Sequence, residues 1–387
     1  EEEMILKFRN KYCAQVAALV LCLVLPSLAF AGAKIKIDDT KYFQIGMGFR
    51  ANVNTVENAA ANGTDDSLDI AVNNMRLYTV SQVHKNIQIE YNTELNGTSV
   101  DLLDAVAKFN FAPIEIWVGR HLPPSDRSNL DGPFYLNAAY TYPMIQSFGN
   151  MGIFAGRDNG ISIHGDIGGG KFKWAYGAFE GLNNTGADQT DNLRHTASLT
   201  AALGDPEPGF YTGSTYFGAK NLTTISLVWH HEEDGVGVNG TPGDFTGVSA
   251  DILIERALGN GAVGTLEGAY YDWDTDNTFD NTITQGESFL VLASYLMPGK
   301  TSIGGGIEGR FQPYVRYQGF NRDMKNDTNK TGYGSRTDAG LNYVIDGFNA
   351  KLTAYWQQDD DLSAANFSQG TGGTTIDTFM LAMQFQL

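Results

Sequence analysis

The sequence predicts an all-β fold: a transmembrane antiparallel β-barrel of about sixteen strands, with short periplasmic turns, long external loops and the third long loop folded inward. Three observations carry the prediction. Apolar and polar residues alternate over segments of ~10 residues, the length of a tilted membrane strand. The connections between them alternate between tight turns and long polar loops. The segment Thr378-Phe-Met-Leu-Ala-Met-Gln-Phe-Gln-Leu387 sets Phe379, Leu381, Met383, Phe385 and Leu387 at every second position, one apolar face of a strand. Hydrocarbon cannot satisfy an open sheet edge, so such a strand is expected to close the sheet against the first.

Residues 1–31 read as a start remnant plus a secretory signal peptide. A basic stretch from Met4 to Lys11 precedes an apolar run from Val16 to Leu25 and the cleavage site Ala29-Phe-Ala31, the order such signals take. The run is too short to span a bilayer as a helix. Cys13 and Cys22 both lie within the signal. The remainder, 32–387, is read as a single barrel domain, with no disulfide and no Cys-based metal site or nucleophile.

The first strand, Phe43 to Asn54, puts Phe43, Ile45, Met47 and Phe49 on one face and Gln44, Arg50, Asn52 and Asn54 on the other. Strands near Asn73 to Val83 and Ile87 to Asn96 meet at His84-Lys85-Asn86, a tight turn. A loop around Gly97 leads to Leu103 to Phe111, and Ala112-Pro113 turns that strand into Ile114 to Arg120. Gly168-Gly-Gly170 joins Ile161 to Ile167 with Phe172 to Glu180. Later pairs meet at Gly204-Asp-Pro206, Leu258-Gly-Asn-Gly261, Met297-Pro-Gly299 and Ile345-Asp-Gly347, with polar loops expected near 181–192, 233–246, 274–286, 321–332 and 359–374. The stretch from Asp205 to Asn221 is too long for a tight turn and leaves the strand count open there.

Composition excludes other classes. The 387 residues carry a formal net charge of −18, which argues against nucleic acid as a partner. Past the signal no apolar stretch is long enough for a membrane helix, a test that barrels evade because lumen-facing residues interrupt lipid-facing ones. One connection, His121 to Arg157, far exceeds the rest. It carries Phe134, Tyr135, Tyr140, Tyr142, Phe148 and Phe154, too aromatic for disorder, and is expected to fold inward and narrow the lumen.

Asn73-Asn-Met-Arg-Leu-Tyr-Thr79, Trp117-Val-Gly-Arg-His-Leu-Pro-Pro124, Gly156-Arg-Asp-Asn-Gly-Ile-Ser-Ile-His-Gly165, Trp174-Ala-Tyr-Gly-Ala-Phe-Glu-Gly181 and Asp377-Thr-Phe-Met-Leu-Ala-Met-Gln-Phe385 resemble the porin O and P family of phosphate-selective porins. The similarity runs in register over most of the chain. It implies a homotrimeric channel of the Gram-negative outer membrane for passive diffusion of small hydrophilic solutes, with anions such as phosphate expected. Two readings stay open beside it: a general, weakly cation-preferring porin, and a narrow structural or scaffold barrel serving a partner complex.

An anion pathway needs fixed positive charge where the pore is narrow, and arginine binds phosphate oxygens bidentately. Alternation assigns Arg50, Arg76, Lys108, Lys173, Arg194, Arg310, Arg316 and Lys351 to the lumen, while Arg120, Arg127 and Arg157 flank or sit on the long loop. The same parity places Glu90, Glu94, Asp104, Glu115, Asp251, Glu255 and Asp338 inward, so the two sets nearly balance. Asp65-Asp66, Glu232-Glu-Asp234, Asp272, Asp274, Asp276, Asp280 and Asp359-Asp-Asp361 are expected to ring the outer mouth and repel anions over ~8 Å at physiological salt. Asp272-Trp-Asp274-Thr-Asp276-Asn lacks the Gly and Glu of an EF-hand, and no metal or cofactor is expected. His230 and His231 point to opposite faces, and His164 and His195 lack a nucleophile motif. The expectation is therefore no catalysis, with membrane lipid and lipopolysaccharide, small ions and further copies of the chain as partners.

Overall fold

The computed structural model describes residues 33–96, 98–139, 156–181, 191–238, 241–276, 278, 285–324, 327–360 and 375–387. The signal-peptide reading of 1–31, together with Tyr140, Tyr142, Phe148, Phe154, Asp280 and Asp361, lies outside the described residues. The structure is one sheet of 18 strands, of which 16 form a closed antiparallel wall.

In chain order the wall strands are β1 (Tyr42–Val56), β2 (Asp69–His84), β3 (Ile87–Asn96), β4 (Ser99–Phe111), β5 (Ile114–His121), β6 (Asp158–Ile167), β7 (Phe172–Phe179) and β8 (Arg194–Ala202). Then follow β9 (Leu222–Val238), β10 (Thr241–Ala257), β11 (Val263–Asp274), β12 (Gly286–Leu296), β13 (Glu308–Met324), β14 (Asp327–Asp346), β15 (Ala350–Asp360) and β16 (Thr375–Gln386). Each pairs with the next, and β16 closes on β1 from Thr378 opposite Val56 to Gln386 opposite Gly48. Two short strands lie off the ring: Ala33–Lys36 on the start of β1 and Thr301–Ser302 on β13. A single helical turn, α1 (Arg127–Leu130), sits in the long β5–β6 connection.

Alternation along each strand divides the wall into two faces. Outside, Leu77, Ile89, Val118, Leu227, Val291 and Val315 are exposed on strands all around the ring. A band that wide is what a lipid-facing wall presents and what a water-exposed surface avoids. Inside, Asn52, Asp104, Gln318, Asn342 and Gln384 are buried, so the interior is a packed polar lumen.

Three connections differ from expectation. The loops expected at 233–246 and 321–332 are not loops: β9 runs on to Val238 and β10 starts at Thr241, while β13 runs to Met324 and β14 starts at Asp327. Beyond the hydrocarbon both faces of a strand are wet, so the loss of apolar alternation there does not end the hydrogen-bonded ladder. The loop expected around Gly97 falls outside the described residues. The third is the β8–β9 connection, residues 203–221, at the turn end of the barrel. It adds no strand and folds into the lumen, where Glu207, Ser214 and Thr215 are buried.

Candidate functional site

The long β5–β6 connection enters the lumen directly after β5, and residues 122–139 are buried except Gly132 and Tyr135. The entry is held by α1, whose cap Asp126 accepts from the Asn129 amide at 3.2 Å and from the Tyr271 hydroxyl of β11 at 2.9 Å. The chain then crosses to the far wall. Gln384 donates to the Phe134 carbonyl at 2.8 Å, Lys351 to that of Leu136 at 2.7 Å, and Asn342 to that of Asn137 at 2.7 Å. Asn137 donates to Ser294 at 2.7 Å, and Arg50 donates to the Ala139 carbonyl. Contacts on β1, β11, β12, β14, β15 and β16 thus fix the loop across the barrel, as the sequence expects for this segment.

From the opposite end the 203–221 segment rises to meet it. The Ser214 amide donates to the Tyr135 carbonyl at 3.0 Å, and Thr212 donates to Asp131 at 2.5 Å. Arg127 joins the two insertions. It holds Glu207 through both carboxylate oxygens, at 2.7 and 2.8 Å, the Gly213 carbonyl at 3.0 Å, and Asp251 of β10 at 3.2 Å. Burial alone would raise the Glu207 carboxyl, but the paired guanidinium holds it below its ordinary range. Asp131 goes the other way: burial pushes it well above the usual carboxylate range, with Arg127 opposing and Glu267 reinforcing the shift.

Most of the remaining cations of the lumen face a carboxylate. Arg76 pairs with Glu94, Lys108 with Glu90 at 2.5 Å, Arg157 with Asp104 at 2.7 Å, Arg194 with Glu232 at 3.0 Å and Arg316 with Asp338 at 2.7 Å. Lys173 instead donates to the Gly209 carbonyl at 2.6 Å, and Arg310 to those of Met297 and Gly261 at the turn-end rim, at 2.9 and 2.5 Å.

Two expected placements are corrected. Arg120 does not line the lumen: it shares the outward face of β5 with Val118, stands opposite Ala105, and reaches back to the Leu102 carbonyl at 3.4 Å. Glu232 does not ring the mouth either, because the extended β9 places it inward and fully buried against Arg194. Asp65, Asp66, Asp274 and Asp276 are exposed as a mouth ring would require, whereas Asp359 is tied to Arg336 at 2.8 Å.

One side of the bore mixes both signs and the other is mainly acidic. Arg50, Arg76 and Lys108 lie on β1, β2 and β4 with Lys351 on β15, interleaved with Glu90 and Glu94 of β3 and Asp104 of β4. Asp251, Glu255 and Glu267 lie on β10 and β11, half a turn of the ring away, and Asp126, Asp131 and Glu207 of the insertions gather on that side. Glu255 takes its hydrogen bonds from Thr215, Thr265 and the amides of Tyr216 and Gly218. Among the described residues no three His, Cys, Asp or Glu side chains are grouped to hold a metal ion.

One cluster escaped sequence reasoning. On the inner face of β5 and β6 the Ser162 hydroxyl lies 2.7 Å from His121 Nε2 and 2.7 Å from His164 Nε2, with the Trp117 ring tilted against His164 at 4.6 Å. Parity puts His164 inward, but only the β5–β6 register, Trp117 opposite Ser162, brings His121 beside it.

No protein-family model matches the chain, and no curated protein does. Solved outer-membrane barrels do match it in fold. An anion-selective porin from Comamonas acidovorans aligns at 13% identity and TM-score 0.60, over 90% of this chain and 100% of that one. Pseudomonas putida OprB aligns at 9% and 0.60, over 89% and 94%. OmpT of Vibrio cholerae, an outer-membrane protein, aligns at 11% and 0.54, over 91% and 100%.

The chain has the fold of a bacterial outer-membrane porin barrel. Kinship with the porin O and P family in particular is not carried by these matches. The expectation that the chain catalyses nothing is corrected as well: barrels called OmpT stand among the matches, and one fold hosts more than one function, so the exclusion of catalysis is withdrawn.

Proposed function

We propose that the chain is a diffusion porin of a Gram-negative outer membrane, passing small hydrophilic solutes through a lumen narrowed from both ends, with a weak preference for cations. The observation that carries this reading is the charge balance of the lumen. Arg76, Lys108, Arg127, Arg157, Arg194 and Arg316 are each engaged by a carboxylate, and Asp126, Glu255 and Glu267 add further buried acids. A compensated cation offers a passing anion little, and the field that remains is negative. Sieving comes from the meeting of the 122–139 and 203–221 segments.

The anion reading, phosphate included, keeps one support: Lys351, Lys173 and Arg310 donate to backbone carbonyls rather than to a carboxylate. The same reading takes residues 1–31 as an export signal, the apolar outer band as the surface for lipid and lipopolysaccharide, and the assembly as a homotrimer, in line with the trimer form known for Vibrio cholerae OmpT.

Planar-bilayer recording in a potassium chloride gradient tests it. A reversal potential of the sign for potassium permeation is expected. The opposite sign would restore the anion reading, and an absence of conductance would remove the porin and favour the scaffold barrel.

A further inference from the structure

A cavity of about 560 Å³ opens at the turn end between the wall and the 203–221 segment, beneath Arg127 and Leu130 of α1. The wall side contributes His164, Lys173, Ser198, Thr200 and Ser226, and the segment contributes Phe210. Most of the charged groups around it already have partners: Arg127 has Glu207 and Asp251, Lys173 has the Gly209 carbonyl, Asp166 accepts from the Gly170 amide, and Glu115 accepts from Asn110 and Trp117, while the half-buried Lys220 also lines it. One fully enclosed polar atom has none. His164 Nδ1 is buried without a hydrogen-bond partner among the described residues, on a side chain 8% exposed, and the Phe210 ring stands edge-on to its imidazole at 4.5 Å.

The chemistry of that atom follows from its neighbours. His121 Nδ1 lies 3.0 Å from the Gly119 carbonyl, which can only accept, so Nδ1 carries the proton and Nε2 is bare. Ser162, 2.7 Å from that bare nitrogen, donates its hydroxyl proton to it. The Ser162 oxygen then has only lone pairs for His164 Nε2, also at 2.7 Å, so Nε2 carries the His164 proton. A neutral imidazole has one N–H, and burial away from a carboxylate favours the neutral ring. His164 Nδ1 is therefore an acceptor. An anion would set lone pairs against it, whereas a hydroxyl would satisfy it.

We propose that this cavity binds a neutral polyhydroxylated solute, a sugar or polyol, with one hydroxyl donating to His164 Nδ1. Ser198 and the Thr200–Ser226 pair, whose hydroxyls lie 3.0 Å apart, hold further hydroxyls of the ligand, and its C–H face packs on Phe210. Phe210 is only half-buried and turns aside to admit the contact. Binding does not require the barrel to conduct, so this site and the porin reading stand or fall separately.

Isothermal titration of the detergent-solubilised full chain with glucose and with maltose tests it, folding being read from heat-modifiable gel mobility. His164→Leu should weaken sugar binding about tenfold, the scale of one buried hydrogen bond. His164→Asn, whose amide oxygen can take the place of Nδ1, should recover much of it. Phe210→Ala opens the way to His164 Nδ1 but removes the packing face, so it should still bind the same sugar, more weakly. Equal affinity in the folded His164→Leu protein, no heat of binding in either the native or the Phe210→Ala protein, or displacement of the sugar by inorganic phosphate would each overturn the assignment.

Discussion

Arg127 belongs to no wall strand, so strand parity says nothing about where it points, and its value depends on partners that sequence spacing does not bring together. Removing one partner of a buried pair costs about 3–5 kcal/mol where the other charge is left alone, and here the 3.2 Å contact of Arg127 to Asp251 remains and makes the loss smaller. Glu207→Gln should therefore lower the melting temperature and raise single-channel conductance together, as the two insertions separate; an unchanged conductance would show that they do not limit flow. The pH dependence has a definite sign. Glu207 is held below its ordinary value of 4.5, so its contribution is present above that value and is lost only as pH falls through the lower folded value. Asp131, held above 3.8, contributes below that value and loses its contribution as pH rises through the higher folded one. Conductance measured from neutral pH downward should stay level through pH 4.5 and rise only in stronger acid. The inward cations of the wall were legible from alternation, as were acids such as Glu90, Glu94, Asp104 and Asp338; which acid meets which cation was not, because pairing across strands depends on register. Arg120 was misjudged by its nearness to the loop, although its even position beside Val118 already places it outward.

Among the elements, the sixteen strands were legible because lipid imposes an apolar residue at every second position, and the signal fails where lipid ends. That is why β9, β10, β13 and β14 run on where loops were expected. The 203–221 segment announced itself by length but not by destination: a segment packed in a polar lumen has the composition of a surface loop. The register of the long loop is set in part by a glycine. A Cβ at Gly48 of β1 would lie 2.7 Å from the Phe134 ring, and that ring also stands within 5.5 and 5.9 Å of the Arg76 and Arg50 guanidiniums. Gly48→Ala should displace Phe134 and destabilise the protein by about 1–3 kcal/mol, the usual scale of overpacking, while leaving strand content intact. A lower melting temperature with an unchanged far-ultraviolet circular dichroism spectrum is the expected pair of results; an unchanged melting temperature would mean that Phe134 does not anchor the loop.

Across the whole molecule, the ring order sets the cations of β1, β2 and β4, with the carboxylates of β3 and β4 that pair with them, opposite the acidic β10 and β11, so a solute in the bore meets a largely compensated side and an acidic one. The formal charge of −18 would by itself suggest a uniformly repelling mouth, but many of the acids lie inside and are engaged by cations. Selectivity then depends on the few charges left uncompensated, and it can be changed by removing a partner. Glu90→Gln leaves Lys108 without its carboxylate while the stacking of its ammonium 3.6 Å over Trp117 remains. One positive charge is thereby released on the compensated side. The reversal potential should move toward chloride in that variant at low salt, and the shift should shrink as ionic strength approaches 1 M, where screening acts within ~3 Å. Neutralising the exposed Asp65 and Asp66 should move it less, because charges in open water are screened before an ion reaches the constriction. If the mouth variant shifted the potential as far as Glu90→Gln, selection would be taking place at the entrance and the lumen charges would have no part in it.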